Sequence, residues 1–286
     1  MSPTLVIARL VLREVLRRRL ILALLALTAL GIVLSGWGFS RIPTLSQRGV
    51  PIPDAQAKLI ASQLLILVMF MFSNVLALSA VFVASPALSG DVESGIAQAM
   101  LSRPLSRAQY VLGKWLGLAL LVAAYAVLAA TLELAIVNAV IGYLPPRPLE
   151  LLGFLIAEGL VLLTPGLALS TRLSGMVGGV IALVLFGLVW LGGIVGGIGA
   201  AFDNELIERV GIATKLLLPT DGLWRGAVYA LEPAAVLAGA AGAGPAFAAN
   251  PFYAAAPPPP AYVAWCAAWL MAMLAVAVWS FSRREV

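Results

Sequence analysis

The sequence predicts an all-α membrane protein: six transmembrane helices, an amino-terminal interfacial helix, and short re-entrant or surface helices before the last span. Three observations carry that prediction. Hydrophobic residues make up 62% of the 286 and charged residues only 11%, against roughly 45–50% and about 25% in an ordinary soluble domain. Such a chain has too little polar surface to face water, so lipid must be its solvent. Six apolar runs reach the roughly 20 residues a helix needs to cross a bilayer. The polar residues gather at the ends of those runs, above all in residues 85–110.

In chain order, residues 2–19 form the first element. Ser2 is a good N-cap and Pro3 a good first helical residue. Arg9, Arg13 and Arg17 recur every four residues as one polar stripe, and Arg18 and Arg19 add to the charge at the membrane interface before the first span. Leu5, Ala8, Leu12, Val15 and Leu16 lie away from it, and Glu14 reaches Arg18 at i,i+4. This is the pattern of a helix in the headgroup layer, its arginines snorkelling toward lipid phosphate. A simple basic flank of the first span would explain their number but not their register.

The spans cover about residues 20–39, 59–84, 111–141, 150–169, 176–200 and 261–281. Arginines precede the first run and no small-residue cleavage site follows it, so it reads as a retained span rather than a signal peptide. The second and third are longer than a bilayer requires, which permits tilt or extension beyond it. Ser62, Gln63, Ser73, Asn74 and Ser79 run polar groups through the second span, either lining a passage or bonding neighbouring helices. The fifth is dense in glycine, with Gly175/Gly179, Gly192/Gly196 and Gly193/Gly197 as small-xxx-small pairs. Such pairs let backbones approach closely, within one chain or between two, or serve as a hinge.

Residues 201–260 are too long a loop to lack structure of their own. Asp203 is placed to cap a helix whose apolar face is Leu206, Ile207, Val210, Ala213 and Leu217. Thr220 or Asp221 caps a second helix over 222–231, and Pro257–Pro260 forms an extended run. These half-length pieces fit either a re-entrant pair or a lid on the outer surface.

An even number of spans puts both termini on one side. Placing them in the cytoplasm gathers the amino-terminal arginines, Arg103, Arg107, Lys114, Arg172, Arg283 and Arg284 inside. It leaves fewer cations outside, spread over longer loops. The expected location is the cytoplasmic membrane, multi-pass, with residues 1–286 as a single domain.

The inner loop, 85–110, holds the densest polar information. Ser89 or Asp91 caps a short helix that Ser94-Gly95 interrupts, Arg103-Pro104 ends the next piece, and Ser106 caps the helix that leads into the membrane. Asp91, Glu93, Arg103 and Arg107 supply charge, while Ile96, Met100 and Leu101 supply an apolar edge: the makeup of a protein dock. A solvated connection with basic anchors would account for Arg107 and Lys114 but not for the acidic pair.

Several chemistries are excluded. There is no His and a single Cys, Cys266, which removes an intrachain disulfide, the commonest metal ligand and the usual general base. The net charge of +5 sits at membrane edges, so no nucleic-acid partner is expected. A nucleotide-binding loop needs G-x-x-x-x-G-K-[ST]; the one Gly-Lys, Gly113-Lys114, is followed by Trp115 in an apolar run. No cofactor is therefore expected in this chain. Two acids fall inside spans, Glu158 near the middle of the fourth and Glu133 toward the outer end of the third. A bare carboxylate at mid-bilayer costs about 3 kcal/mol or more, so each either faces a translocation path, with Asn74, or ties two helices together.

The stretch GDVESGIAQAMLSRPLSRAQYVLGKWLG resembles the acidic–Gly–Leu–Arg-Pro–Arg–Gly-Lys signature of ABC transporter permeases of the second exporter-like type. ARLVLREVLRRRLILALLALTALGIVLSGWGF resembles that family's elbow helix and first span, and Leu218-Pro219-Thr220-Asp221 with Arg225 resembles a motif of the branch that includes nitrous-oxide maturation permeases. The resemblance implies a six-helix permease half with a coupling helix between spans two and three. It implies two such halves, identical or not, seated on two ATPase subunits that bind the ATP. Asp91 and Glu93 match the family's acids, with Asp91 shorter than the Glu expected there. Ser94, Gly95, Met100 and Leu101 fall in the same stretch, and Arg103, Pro104 and Arg107 match its Arg-Pro-x-x-Arg. A proton-coupled secondary transporter using Glu158 is the alternative reading.

Overall fold

The computed structural model describes residues 2–16, 19–47, 50–240 and 250–284. Arg17 and Arg18 of the predicted basic stripe lie outside these residues, and of Arg19 only the backbone is described. The chain begins with α1 (Pro3–Leu16) and α2 (Arg19–Ser40), then a 3-10 turn (Ile42–Thr44) and two two-residue strands, β1 (Ser46–Gln47) and β2 (Val50–Pro51), paired antiparallel. There follow α3 (Asp54–Ala84), α4 (Ser89–Glu93), α5 (Ile96–Leu101), α6 (Arg107–Ile141), α7 (Pro148–Leu169) and α8 (Gly175–Ala201). The last elements are α9 (Glu205–Leu217), α10 (Asp221–Leu231), α11 (Ala234–Ala240) and α12 (Pro260–Ser282). Among the described residues six helices, α2, α3, α6, α7, α8 and α12, are long and apolar enough to cross a membrane.

Helix α3 starts five residues before its apolar run, at Asp54 after Pro53. Helix α6 starts at Arg107 under a full capping box: Ser106 accepts from the Gln109 amide, and the Gln109 side chain accepts from the Ser106 amide. Two orphan donors at the helix start are thereby satisfied. The core lies where α3, α6 and α7 meet, with Leu65, Ile66, Met69, Leu151, Leu163 and Leu167 all but sealed from the surface.

Helix α1 lies along α6, and the packed face differs from the expected one. Ile7, Ala8, Val11 and Val15 are buried, while Leu5 and Leu16 are exposed along with Arg9 and Arg13. Gly113 and Gly117 of α6 make the contact. A methyl group on Gly113 would stand 2.7 Å from Ile7 Cβ, and one on Gly117 2.7 Å from the Ala8 carbonyl oxygen. The small-xxx-small step thus sits in α6 as well as in α8.

Most glycines of α8 serve contact within the chain, Gly187 being an exception with nothing within 4 Å. A methyl on Gly196 would lie 2.5 Å from Gly211 Cα, on Gly199 2.5 Å from the Glu208 amide nitrogen, and on Gly192 2.5 Å from Thr214 Oγ1. These contacts run α9 antiparallel along the carboxy-terminal half of α8. Helix α10 then climbs along α7, Gly226 packing on the Phe154 ring. The turn between them brings Thr220 and Asp221 beside Ser73 of α3 and Glu158 of α7, so the pair re-enters the bundle instead of lying on top of it.

Four local expectations for this region are corrected. Asn204, not Asp203, caps α9, its Oδ1 accepting from the Ile207 amide at 3.2 Å. Asp203 takes a left-handed φ of 52° in the preceding turn. The packed stripe of α9 is Ile207, Gly211 and Thr214, while Leu206, Val210, Ala213 and Leu217 point outward. In lipid an outward apolar face costs nothing, so small residues rather than large ones mark the packed side. Neither Thr220 nor Asp221 caps α10 through its side chain. Three of the four prolines precede α12, and Pro260 is its first residue, the position where a missing N–H is harmless.

Candidate functional site

The 85–110 connection folds into α4 and α5, joined at Ser94-Gly95, with Gly95 at φ +75°. A residue with a side chain is strained there, so the glycine sets the bend between the two short helices. Around it Glu93, Ser94, Ile96, Arg103 and Pro104 are exposed. Met100 and Leu101 are partly buried and pack inward on the molecule's own core, and Ala97 is fully buried. Of the predicted apolar edge, Ile96 is the member left facing outward.

Asp91 differs from its predicted role as an outward-facing contact. It is 7% exposed, and so is Lys114. Lys114 Nζ lies 2.5 Å from Asp91 Oδ2, and the Tyr110 hydroxyl donates to the same oxygen. Tyr110 is itself sealed, stacked on Phe281 of α12 at a centroid distance of 5.7 Å. Glu14 of α1 borders the same small cleft with Val11, Pro86 and Ala87. A buried ion pair of this kind is costly to break from one side only, about 3–5 kcal/mol. Asp91 therefore fastens α4 to the base of α6, with α1 and α12 adjoining. The sequence did hold a clue: Lys114 lies well inside an apolar helix, where a cation needs a counter-ion.

Arg107, predicted for the same contact, turns to the end of α12. Its Nη1 donates to the Ser282 carbonyl at 2.8 Å and to the Arg284 carbonyl at 2.5 Å. Arg284 donates to the Thr171 carbonyl at 2.8 Å, and Arg172 to the Ser280 carbonyl at 3.1 Å. These guanidinium groups meet carbonyls that the helix end leaves without amide partners.

The predicted path residues separate into two places. Glu158, 3% exposed, accepts from Ser73 Oγ at 2.8 Å. Asn74 lines the same small recess but spends a donor on the Phe70 carbonyl at 2.8 Å. Phe70, Trp190, Trp224 and Asp221 complete the walls, with Phe70 stacked on Trp190 at 5.8 Å. Glu133 lies elsewhere, between α6 and α2, sealed from the surface and accepting from Ser35 Oγ at 2.8 Å. Each carboxyl thus ties two helices through a serine, and only Glu158 and Asn74 share a recess.

Two comparisons bear on this arrangement. The family model described as ABC-2 family transporter protein matches residues 5–286. No curated protein matches the chain.

Proposed function

The chain belongs to the ABC-2 family of transporter proteins, and from that premise we propose that it is the permease subunit whose α4–α5 loop takes up the motion of a separate ATPase. The observation that carries the reading is the division of labour in that loop. Glu93, Ser94, Ile96, Arg103 and Pro104 face outward, available to a partner, while Asp91 is locked from behind to Lys114 and Tyr110 of α6. A push on the outer face is carried into a spanning helix rather than absorbed by a slack loop. Gly113-Lys114, the one Gly-Lys, is spent on packing α1 and pairing Asp91, which supports placing ATP hydrolysis in the partner.

In this reading both termini and the α4–α5 loop lie in the cytoplasm, and α1 rests in the inner headgroup layer with Arg9 and Arg13 outward. A second permease half completes the path. The outward apolar faces of α2 (Leu22, Leu30, Val33) and α8 (Val184, Leu188, Leu191) suit lipid or that second half. Leu218-Pro219-Thr220-Asp221 with Arg225 supports a place beside the nitrous-oxide maturation permeases. The test is association with the ATPase subunit of a neighbouring reading frame. Glu93→Arg together with Arg103→Glu should lower copurification about tenfold or more while the variant still folds; undiminished copurification contradicts the reading.

A further inference from the structure

Between the start of α2, the last turns of α3 and the middle of α6 lies a cavity of about 200 Å³. Beyond it α2 closes on its neighbours. A methyl on Gly31 would stand 3.5 Å from the Phe72 ring, one on Gly36 3.0 Å from Ile136 Cγ2, and Ser35 bonds Glu133. Before Thr28 the helices part. Ile21, Leu76 and Val122 are the buried floor of the gap, while Leu16, Leu25 and Leu128 stand exposed at its rim. The walls run over residues 76–83 of α3 and 121–128 of α6, each about 10 Å along its axis. Both polar side chains of the described lining are already committed. Ser79 Oγ donates to the Val75 carbonyl at 2.6 Å. Thr28 Oγ1 donates to the Leu24 carbonyl at 2.8 Å, which leaves it to accept from the Tyr125 hydroxyl at 2.7 Å. A guest is therefore offered carbon surface alone. An apolar cavity of about 150 Å³ stays dry and takes up a hydrocarbon such as benzene, and this one is larger. At the rim the chemistry changes. Leu16 follows Arg9 by seven residues and Arg13 by three on one face of α1, and all three are exposed.

We propose that this cavity holds one acyl chain of a phospholipid, with the lipid phosphate at Arg13 and the hydrocarbon between α3 and α6. Fixed, close-packed walls give the chain dispersion contacts that fluid lipid does not, and a cation at the headgroup level attracts the phosphate. A two-fold contact with a second copy would instead bring the two arginine faces together, and like charges set against each other disfavour that occupant. Val83 also lines the cleft beside Asp91 and Lys114, so the bound chain lies one side chain away from the pair that fastens α4 to α6.

The site draws on the permease reading only for the place of α1 at the headgroups and involves no ATPase, so its failure leaves that reading standing. The test is photolabelling of the purified full-length chain in phosphatidylcholine nanodiscs, by a minor amount of phosphatidylglycerol with a diazirine in one acyl tail, read by peptide mass spectrometry. Labelling of residues 76–83 and 121–128 should exceed that around the exposed Leu188 of α8 about tenfold. The same probe with a phosphocholine headgroup should label these walls about fivefold less, and Arg13→Gln should erase that difference. Ala124→Phe should fill the cavity and cut labelling of 76–83, Ser79→Leu should do so for 121–128, and Leu22→Phe on the outward side of α2 should change neither. Walls labelled no more than Leu188, equal labelling by the two headgroups, or full labelling in both filled variants while folded overturns the site. A disulfide between two copies through Leu25→Cys would put a second half over the rim and overturns it as well; its absence supports the lipid.

Discussion

Asp91 and Glu93 stand two residues apart on one short helix and meet opposite surroundings. Glu93 faces outward, and Asp91 is enclosed with Lys114 and Tyr110. Replacing Lys114 by Met strands the Asp91 charge and should cost about 3–5 kcal/mol, seen as a lowered unfolding midpoint in detergent. Adding Asp91→Leu should recover most of that loss, whereas Glu93→Arg alone should stay within about 0.5 kcal/mol of the unaltered chain. Equal losses at Lys114 and Glu93 would contradict the division of roles.

A second residue makes stability depend on pH. Glu232, between α10 and α11, is sealed from the surface, and burial pushes its carboxyl from an ordinary value near 4.5 up to about 7, against a smaller pull from the Ala254 backbone. The folded state holds a proton that the unfolded state releases. Its contribution to stability is therefore intact below about pH 4.5 and declines as pH rises to about 7, by up to about 3 kcal/mol. Glu232→Gln should flatten that decline, with a higher melting temperature than the unaltered chain at pH 8 and little difference at pH 4.5. Parallel pH profiles for the two proteins would contradict this.

At the scale of elements, glycine seams hold the pieces that large apolar residues do not. Gly196 meets Gly211 where α8 and α9 cross, and Gly113 meets Ile7 where α6 and α1 cross. Gly196→Leu should force α9 away from α8 and cost about 1–3 kcal/mol or more. Gly113→Val should do the same to α1, with faster proteolysis near residues 5–16 as the readout. An unchanged cleavage pattern would show that the seam tolerates a side chain. The spanning helices were legible because lipid imposes long apolar runs. The packed faces of α1 and α9 were not, since Leu5, Leu206 and Val210 are as comfortable against lipid as against protein. The reversal from Asp203 to Asn204 as the cap of α9 is a one-residue shift in a turn rich in polar candidates. The bond from Arg107 to the carbonyls of Ser282 and Arg284 crosses more than 170 residues, a distance over which sequence spacing carries no signal. The outward position of Glu93, Arg103 and Pro104 was legible, because Gly95 and Pro104 mark the turns that expose them.

For the whole molecule, the proposed function makes the α4–α5 loop the firm end of a lever. Its outer face is polar with one exposed Ile, and its inner face is pinned to α6 beside α1 and α12. The flanks of α2, α8 and α12 are apolar and face outward. The buried Cys266 makes single-cysteine replacements easy to read, and cross-linking in native membranes is the most direct test of where the ATPase acts. With the ATPase subunit coexpressed, cysteines at Glu93, Ser94 and Arg103 should form cross-links to it, and cysteines at Arg41 and Leu206, at the opposite end of the bundle, should form none. Cross-links from Arg41 or Leu206, or none from the α4–α5 loop while the two subunits still copurify, would contradict the account.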